Sequence, residues 1–126
     1  MTAFIVTLGL LLAGAVAWLA AHQAPREPVQ ATAPVSSAIL EQGRAYYVQL
    51  CMACHGARGD GQGEWAYRVT PRPANLRSAR TRGRSDDHLD RLIREGLPGT
   101  PMIGYSLSAA QRRQLVAYIR YLGGQP

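Results

Sequence analysis

The 126-residue sequence predicts an all-α domain of three helices joined by long loops, preceded by one N-terminal transmembrane helix. Three observations carry this expectation. Three stretches place apolar side chains at helical spacing, and two of them begin and end on capping residues. Glycine and proline crowd the segments between them. Residues Phe4 to Ala21 (FIVTLGLLLAGAVAWLAA) carry no charged side chain.

As a helix rising ~1.5 Å per residue, that apolar stretch is roughly 27 Å long, about the thickness of a bilayer core. Residues 1–21 therefore serve as a membrane anchor or as a signal peptide. The leading Met1-Thr2-Ala3 lacks the basic residue a signal peptide usually carries, the apolar run is longer than a signal core, and Trp18 stands where an interfacial aromatic belongs. These features favour the uncleaved anchor, while Ala13-Gly14-Ala15 and Ala31-Thr32-Ala33 keep small-residue cleavage sites open. No basic side chain precedes the stretch and Arg26 follows it, so the positive-inside rule alone draws the rest of the chain to the cytoplasm. Residues 22–35, rich in proline, alanine and glutamine, form an extended linker of ~3 Å per residue, or roughly 40 Å in reach. The remaining domain, 36–126, has roughly ninety residues. That is a marginal length for a hydrophobic core, and such cores usually need a staple, a metal or a cofactor.

Within this domain, Ser36 to Leu50 puts Ile39, Gly43, Tyr46 or Tyr47, and Leu50 on one helical stripe. Glycine in mid-helix costs about 1 kcal/mol relative to alanine, so Gly43 marks a close backbone crossing. A short helix follows Ser85, with Asp86 and Asp87 in its first turn where the helix dipole favours negative charge. Leu89, Leu92 and Ile93 form its apolar face, and Gly96 ends it. The last helix opens on a Ser108/Gln111 capping box, carries Leu115, Tyr118, Ile119 and Leu122 on one face, and stops at Gly123-Gly124.

The formal net charge is +6, and all 14 basic residues are arginine. The densest cluster, Arg77 to Arg84 (RSARTRGR), is a solvated loop or a docking patch for an acidic protein or anionic lipid headgroups. With no recognition motif beside it, nucleic acid is not an expected partner.

The only two cysteines lie in Cys51-Met52-Ala53-Cys54-His55. A disulfide across so short a loop adds little stability and stays reducible. A zinc site needs two further ligands, and His22 and His88 do not stand at the required spacing. A thioredoxin-like pair needs a preceding strand, and no strand pattern precedes Cys51. The pattern C-x-x-C-H is fully used by covalent haem: Cys51 and Cys54 add to its vinyl groups, and the adjacent His55 binds the iron. A second axial ligand is then sought among three methionines. Met1 belongs to the membrane end and Met52 lies inside the attachment loop, which leaves Met102 in the Gly- and Pro-rich stretch GLPGTPMIGYSLS. The plainer role for Met102 is filler of a core gap, but its setting between prolines and glycines is that of a loop folded over a flat cofactor. Trp65, Tyr67 and Asn75 either contact the haem or pack in the core, and the sequence assigns neither role.

With these residues in place the chain resembles a class I cytochrome c. The pattern runs Gly43-x-x-x-Tyr47-x-x-x-Cys51-x-x-Cys54-His55-Gly56, Gly59-Asp60-Gly61-x-Gly63, Arg72-Pro73-x-Asn75-Leu76, Gly96-Leu97-Pro98-Gly99-Thr100-Pro101-Met102 and Leu115-x-x-Tyr118-Ile119-x-x-Leu122. The resemblance implies a three-helix domain wrapped round one covalent haem c, with His55 and Met102 as iron ligands. It also implies that the first and last helices cross with Gly43 against Tyr118, and that the carbonyl of Pro71 or Pro73 supports the His55 ring. Met102-Ile103-Gly104 stands where many relatives have Met-Pro, which bears on the shape of the methionine loop. The resemblance is greatest to single-haem subunits of bacterial respiratory complexes. It implies one-electron transfer to or from a membrane redox complex (an oxidase, a quinol-oxidising complex or a dehydrogenase), with the haem domain on the periplasmic side of the bilayer, against the weak charge signal of Arg26. Two other functions stay open: a sensor or enzyme with an open iron site, in which His88 is the distal acid, and a structural haem subunit.

Overall fold

In the computed structural model, residues 35–124 are described; the predicted anchor and all but the last residue of the linker lie outside them. Helix α1, Ser37–Leu50, starts at Ser36, whose hydroxyl accepts from the Ile39 N–H at 3.4 Å. A single turn, α2 (Met52–His55), follows at once, and a 3-10 turn spans Ala66–Arg68. Another single turn, α3 (Ala79–Arg82), is capped by Ser78. Helix α4 spans Asp86–Glu95 behind the Ser85 cap. Helix α5, Ala109–Leu122, begins with both arms of its capping box made, at 2.7 Å from the Ser108 N–H to Gln111 Oε1 and 3.3 Å from the Gln111 N–H to the Ser108 hydroxyl. The three predicted helices are α1, α4 and α5. The single-turn α2 and α3 are additional, because four residues are too few to show an apolar period. Among the described residues there is no strand, only an isolated bridge between Gly96 and Ile103, and no helix long and apolar enough to cross a membrane.

The core lies where α1, α4 and α5 meet, and comprises Tyr47, Leu89, Ile93, Leu115, Val116, Tyr118 and Ile119. Helices α1 and α5 touch at Gly43, where a β-carbon would stand 2.1 Å from the Gln114 carbonyl oxygen and 2.9 Å from Tyr118 Cβ. One turn on, the Tyr47 and Tyr118 rings pack with centroids 5.3 Å apart and tilted by 54°. Of the two tyrosines left open by the sequence, Tyr47 takes the buried position and Tyr46 lies at its margin, accepting from Gln111 Nε2 at 3.2 Å. The Tyr47 hydroxyl donates to the Gly56 carbonyl at 2.6 Å, which fixes the loop beyond α2 to the core.

Arginines on α5 hold the neighbouring segments. Arg112 pairs with Asp90 of α4 at 2.7 Å and donates to the Leu107 carbonyl at 2.6 Å. Arg120 pairs with Asp86 at 2.7 Å and donates to the carbonyls of Arg82 and Arg84, so it ties the end of α3 to the start of α4.

Candidate cofactor site

The cysteine segment is shaped by a break between two helices. Helix α1 ends at Leu50, Cys51 turns off the helical path at φ −119°, and α2 restarts at Met52. Cys51 still donates to Tyr47 O at 2.9 Å, and its own carbonyl accepts from the Cys54 and His55 N–H groups at 3.2 and 2.8 Å. Both thiols and the imidazole are therefore presented from a single turn. Neither cysteine is in a disulfide. Burial first, and then the neighbouring Cys54, push the Cys51 thiol up to about 12, so it stays protonated at neutral pH.

The loop after His55 folds back on α2. Gly61, Gly63 and Trp65 donate to the carbonyls of His55, Cys54 and Ala53 at 2.8, 3.1 and 2.9 Å. Gly63 is required by this contact, since a β-carbon there would lie 2.3 Å from Ala53 O. The loop closes where Leu76 donates to Gly59 O at 2.7 Å.

His55 Nδ1 lies 2.9 Å from the carbonyl oxygen of Ala74. A carbonyl only accepts, so Nδ1 carries the proton and Nε2 keeps its lone pair. Burial pushes the His55 pKa down, the Ala74 bond opposes this in part, and the ring is neutral at pH 7. The supporting carbonyl is thus that of Ala74 and not of Pro71 or Pro73, as the resemblance implied. The reason lies one residue upstream. The Pro73 carbonyl is turned onto Gly61, where a β-carbon would stand 2.7 Å from it, and the next carbonyl along is the one left facing the imidazole.

Met102 lies in the loop between α4 and α5. Its carbonyl accepts from the Leu97 N–H at 2.9 Å, its N–H donates to the Thr100 hydroxyl at 3.2 Å, and that hydroxyl donates to Leu97 O at 2.8 Å. Gly96 enters the loop at φ 74°, a conformation that favours glycine. Gly104, in the stretch that departs from Met-Pro, lets the loop pass against α4: a β-carbon there would stand 2.4 Å from Arg94 O.

Cys51, Cys54, His55 and Met102 line one cavity, together with Leu50, Val69, Pro71, Pro73, Leu97, Pro101, Ile103 and Tyr105. The walls are mainly apolar. Beside His55, the one basic side chain among them is Arg72; it lies over the Tyr67 ring at 4.6 Å and has no carboxylate partner among the described residues. Two thiols, a neutral imidazole with one free lone pair, and a thioether around an apolar cavity are a donor set that fits covalent haem.

Other residues singled out in the sequence lie elsewhere. Trp65 and Tyr67 are 53% and 66% exposed and do not line the cavity. The Asn75 side chain accepts from the Arg77 N–H at 2.8 Å, closing its own turn. His88 sits between Arg84 and Arg91 on α4, away from the cavity lining, so the open-iron scheme loses its distal acid. Within the arginine cluster, Arg82 donates to Arg77 O and Arg84 contacts His88. Sequence reasoning missed Ala74, Arg72 and Tyr105 as parts of the site. Arg72 stood within a quoted motif, Ala74 at its unspecified position and Tyr105 inside the methionine stretch, but a backbone carbonyl and a tyrosine three places beyond the methionine carry no local signal.

The family model described as cytochrome C oxidase, cbb3-type, subunit III, matches residues 38–119. No curated protein matches the chain. Among solved structures, the chain is similar to a component of the Kuenenia stuttgartiensis reducing HAO-like protein complex, at 27% identity and a TM-score of 0.58. The similarity covers 65% of this chain and 41% of that one, so the chain spans well under half of that relative's length.

Proposed function

The chain belongs to the cytochrome c oxidase, cbb3-type, subunit III family, which makes it a c-type cytochrome, and from that premise we propose that it transfers single electrons within or beside a membrane redox complex. Haem c supplies a reversible one-electron couple. In this reading Cys51 and Cys54 would hold the porphyrin covalently, His55 would bind the iron through Nε2, and Met102 would supply its second protein ligand. The Ala74 carbonyl keeps the imidazole in the tautomer that leaves Nε2 free. A thioether ligand and apolar walls raise the reduction potential, and Arg72 adds positive charge at the cavity. With both iron ligands supplied by the protein, His55 and Met102 would leave no ligand to exchange on electron transfer, and reorganisation would be small.

The observation that carries this reading is the convergence of Cys51, Cys54, His55 and Met102 on one cavity from two parts of the chain 47 positions apart (102 − 55). The similarity to a component of an HAO-like protein complex supports a redox complex as the partner. The apolar 1–21 segment supports tethering to a bacterial cytoplasmic membrane, with the haem domain in the periplasm where haem is attached. The His88 placement disfavours an open-iron enzyme.

The attachment is tested by producing the full chain with a haem-maturation system and staining denaturing gels for haem. The expected result is one haem per chain, with the stain lost in a Cys51→Ala/Cys54→Ala double variant. Stain that survives in the double variant, or no haem in the parent, contradicts the reading.

A further inference from the structure

Three segments line the cavity, Leu50 to His55, Val69 to Ala74 and Leu97 to Tyr105, and the last carries Met102. This methionine loop leaves α4 at Gly96 and reaches α5 at Ser108. Its internal bonds, from Leu97 to Met102, from Met102 to Thr100 and from Thr100 back to Leu97, define the loop's shape. They do not define its distance from the cysteines. The Tyr105 N–H donates to Ile93 O at 2.9 Å and pins the far side of the loop to α4. Among the described residues, one hydrogen bond joins the loop to the cysteine segment: the Tyr105 hydroxyl donates to the Leu50 carbonyl at 2.8 Å, across 55 positions.

Both ends of that bond are significant. Leu50 is the last residue of α1 and is bonded covalently to Cys51. Its carbonyl falls at the break between α1 and α2, where no backbone N–H of the described residues takes it. Tyr105 is part-buried, lines the cavity and stands three residues from Met102. We propose that Tyr105 is a positioning residue that keeps Met102 on the iron, by tethering the methionine loop to the helix that carries the attachment cysteines. This rests on the ligand set proposed above.

An external ligand that replaces Met102 can bind only when the loop opens, so its apparent affinity is scaled by the fraction of open loop. Removing one hydrogen bond and leaving the Leu50 carbonyl unsatisfied raises that fraction by roughly three- to tenfold. Tyr105→Phe keeps the ring and removes a single oxygen.

The test uses the ferric, haem-loaded full chain in detergent, titrated with imidazole by absorbance, beside thermal unfolding of each variant. The Phe variant is expected to bind imidazole roughly three- to tenfold more tightly than the parent, with a weaker methionine-to-iron charge-transfer band. Met102→Ala should bind it more tightly still. Tyr105→Leu is the second variant and should show at least the effect of Phe, so the comparison holds if one of them does not load haem. A purely structural role would lower the unfolding temperature and leave imidazole affinity unchanged; that result overturns the proposal while leaving the ligand assignment intact. If Met102→Ala matches the parent, Met102 is not the ligand, and both the assignment and the tether fail.

Discussion

His55 has two ring nitrogens, and the fold has already committed one of them to the Ala74 carbonyl. That commitment makes a buried, neutral imidazole into a directed ligand, since only Nε2 remains to bind iron. Arg72 acts at the same scale by charge alone. A cation at the cavity favours the less positive ferrous state, so Arg72→Leu should lower the midpoint potential by a few tens of millivolts at low salt. The difference should shrink as salt rises, because the side chain is exposed and screened. A redox titration of the loaded protein at two ionic strengths measures this, and an unchanged or higher potential would count against the charge argument. At this scale the sequence was legible where chemistry is local. Cys51, Cys54 and His55 are adjacent, and Met102 was reached by excluding Met1 and Met52. Ala74 was not legible, because its part is played by a backbone oxygen, and every residue has one. Which carbonyl faces the imidazole depends on how the loop lies against Gly61, a contact between residues 61 and 73 that no spacing rule encodes.

Elements position these residues through one close crossing. Helix propensity alone would favour alanine over glycine at position 43 by about 1 kcal/mol. The crossing reverses the sign, because the new β-carbon would meet a backbone oxygen of α5 that can retreat only if the helix moves. Gly43→Ala should therefore destabilise the domain by about 1–3 kcal/mol, which for a domain of this size lowers Tm by at least about 4 °C. Calorimetry of the loaded protein would check it, and a Tm at or above the parent's would show that the crossing is not tight. Gly43 was legible as a breach of helix propensity, and Ser85 and Ser108 as caps. The single-turn α2 and α3 were not, since four residues carry no period. The Arg120 clamp on α3 and α4 was hidden as well. It works through carbonyls more than thirty positions away, and arginine on a helix face ordinarily marks solvent.

For the whole molecule, the proposal beyond the domain is that the N-terminal segment tethers it to a bilayer. An integral anchor resists alkaline extraction, whereas a cleaved signal releases the domain. The haem-stained chain is therefore expected to stay with membranes through a carbonate wash, and to become soluble after proteolysis within residues 22–35; haem protein in the wash would show that the N-terminal segment does not anchor it. The net charge of +6 is carried entirely by arginine, which suits docking on an acidic partner held in the same membrane.

The central claim is that the iron is closed by Met102 and serves electron transfer, and the most direct measurement is carbon monoxide binding to the ferrous, haem-loaded protein and its Met102→Ala variant. The parent is expected to stay spectrally unchanged under carbon monoxide while the variant forms a complex. A parent that binds carbon monoxide as readily as the variant would mean an open iron site, and would contradict this claim.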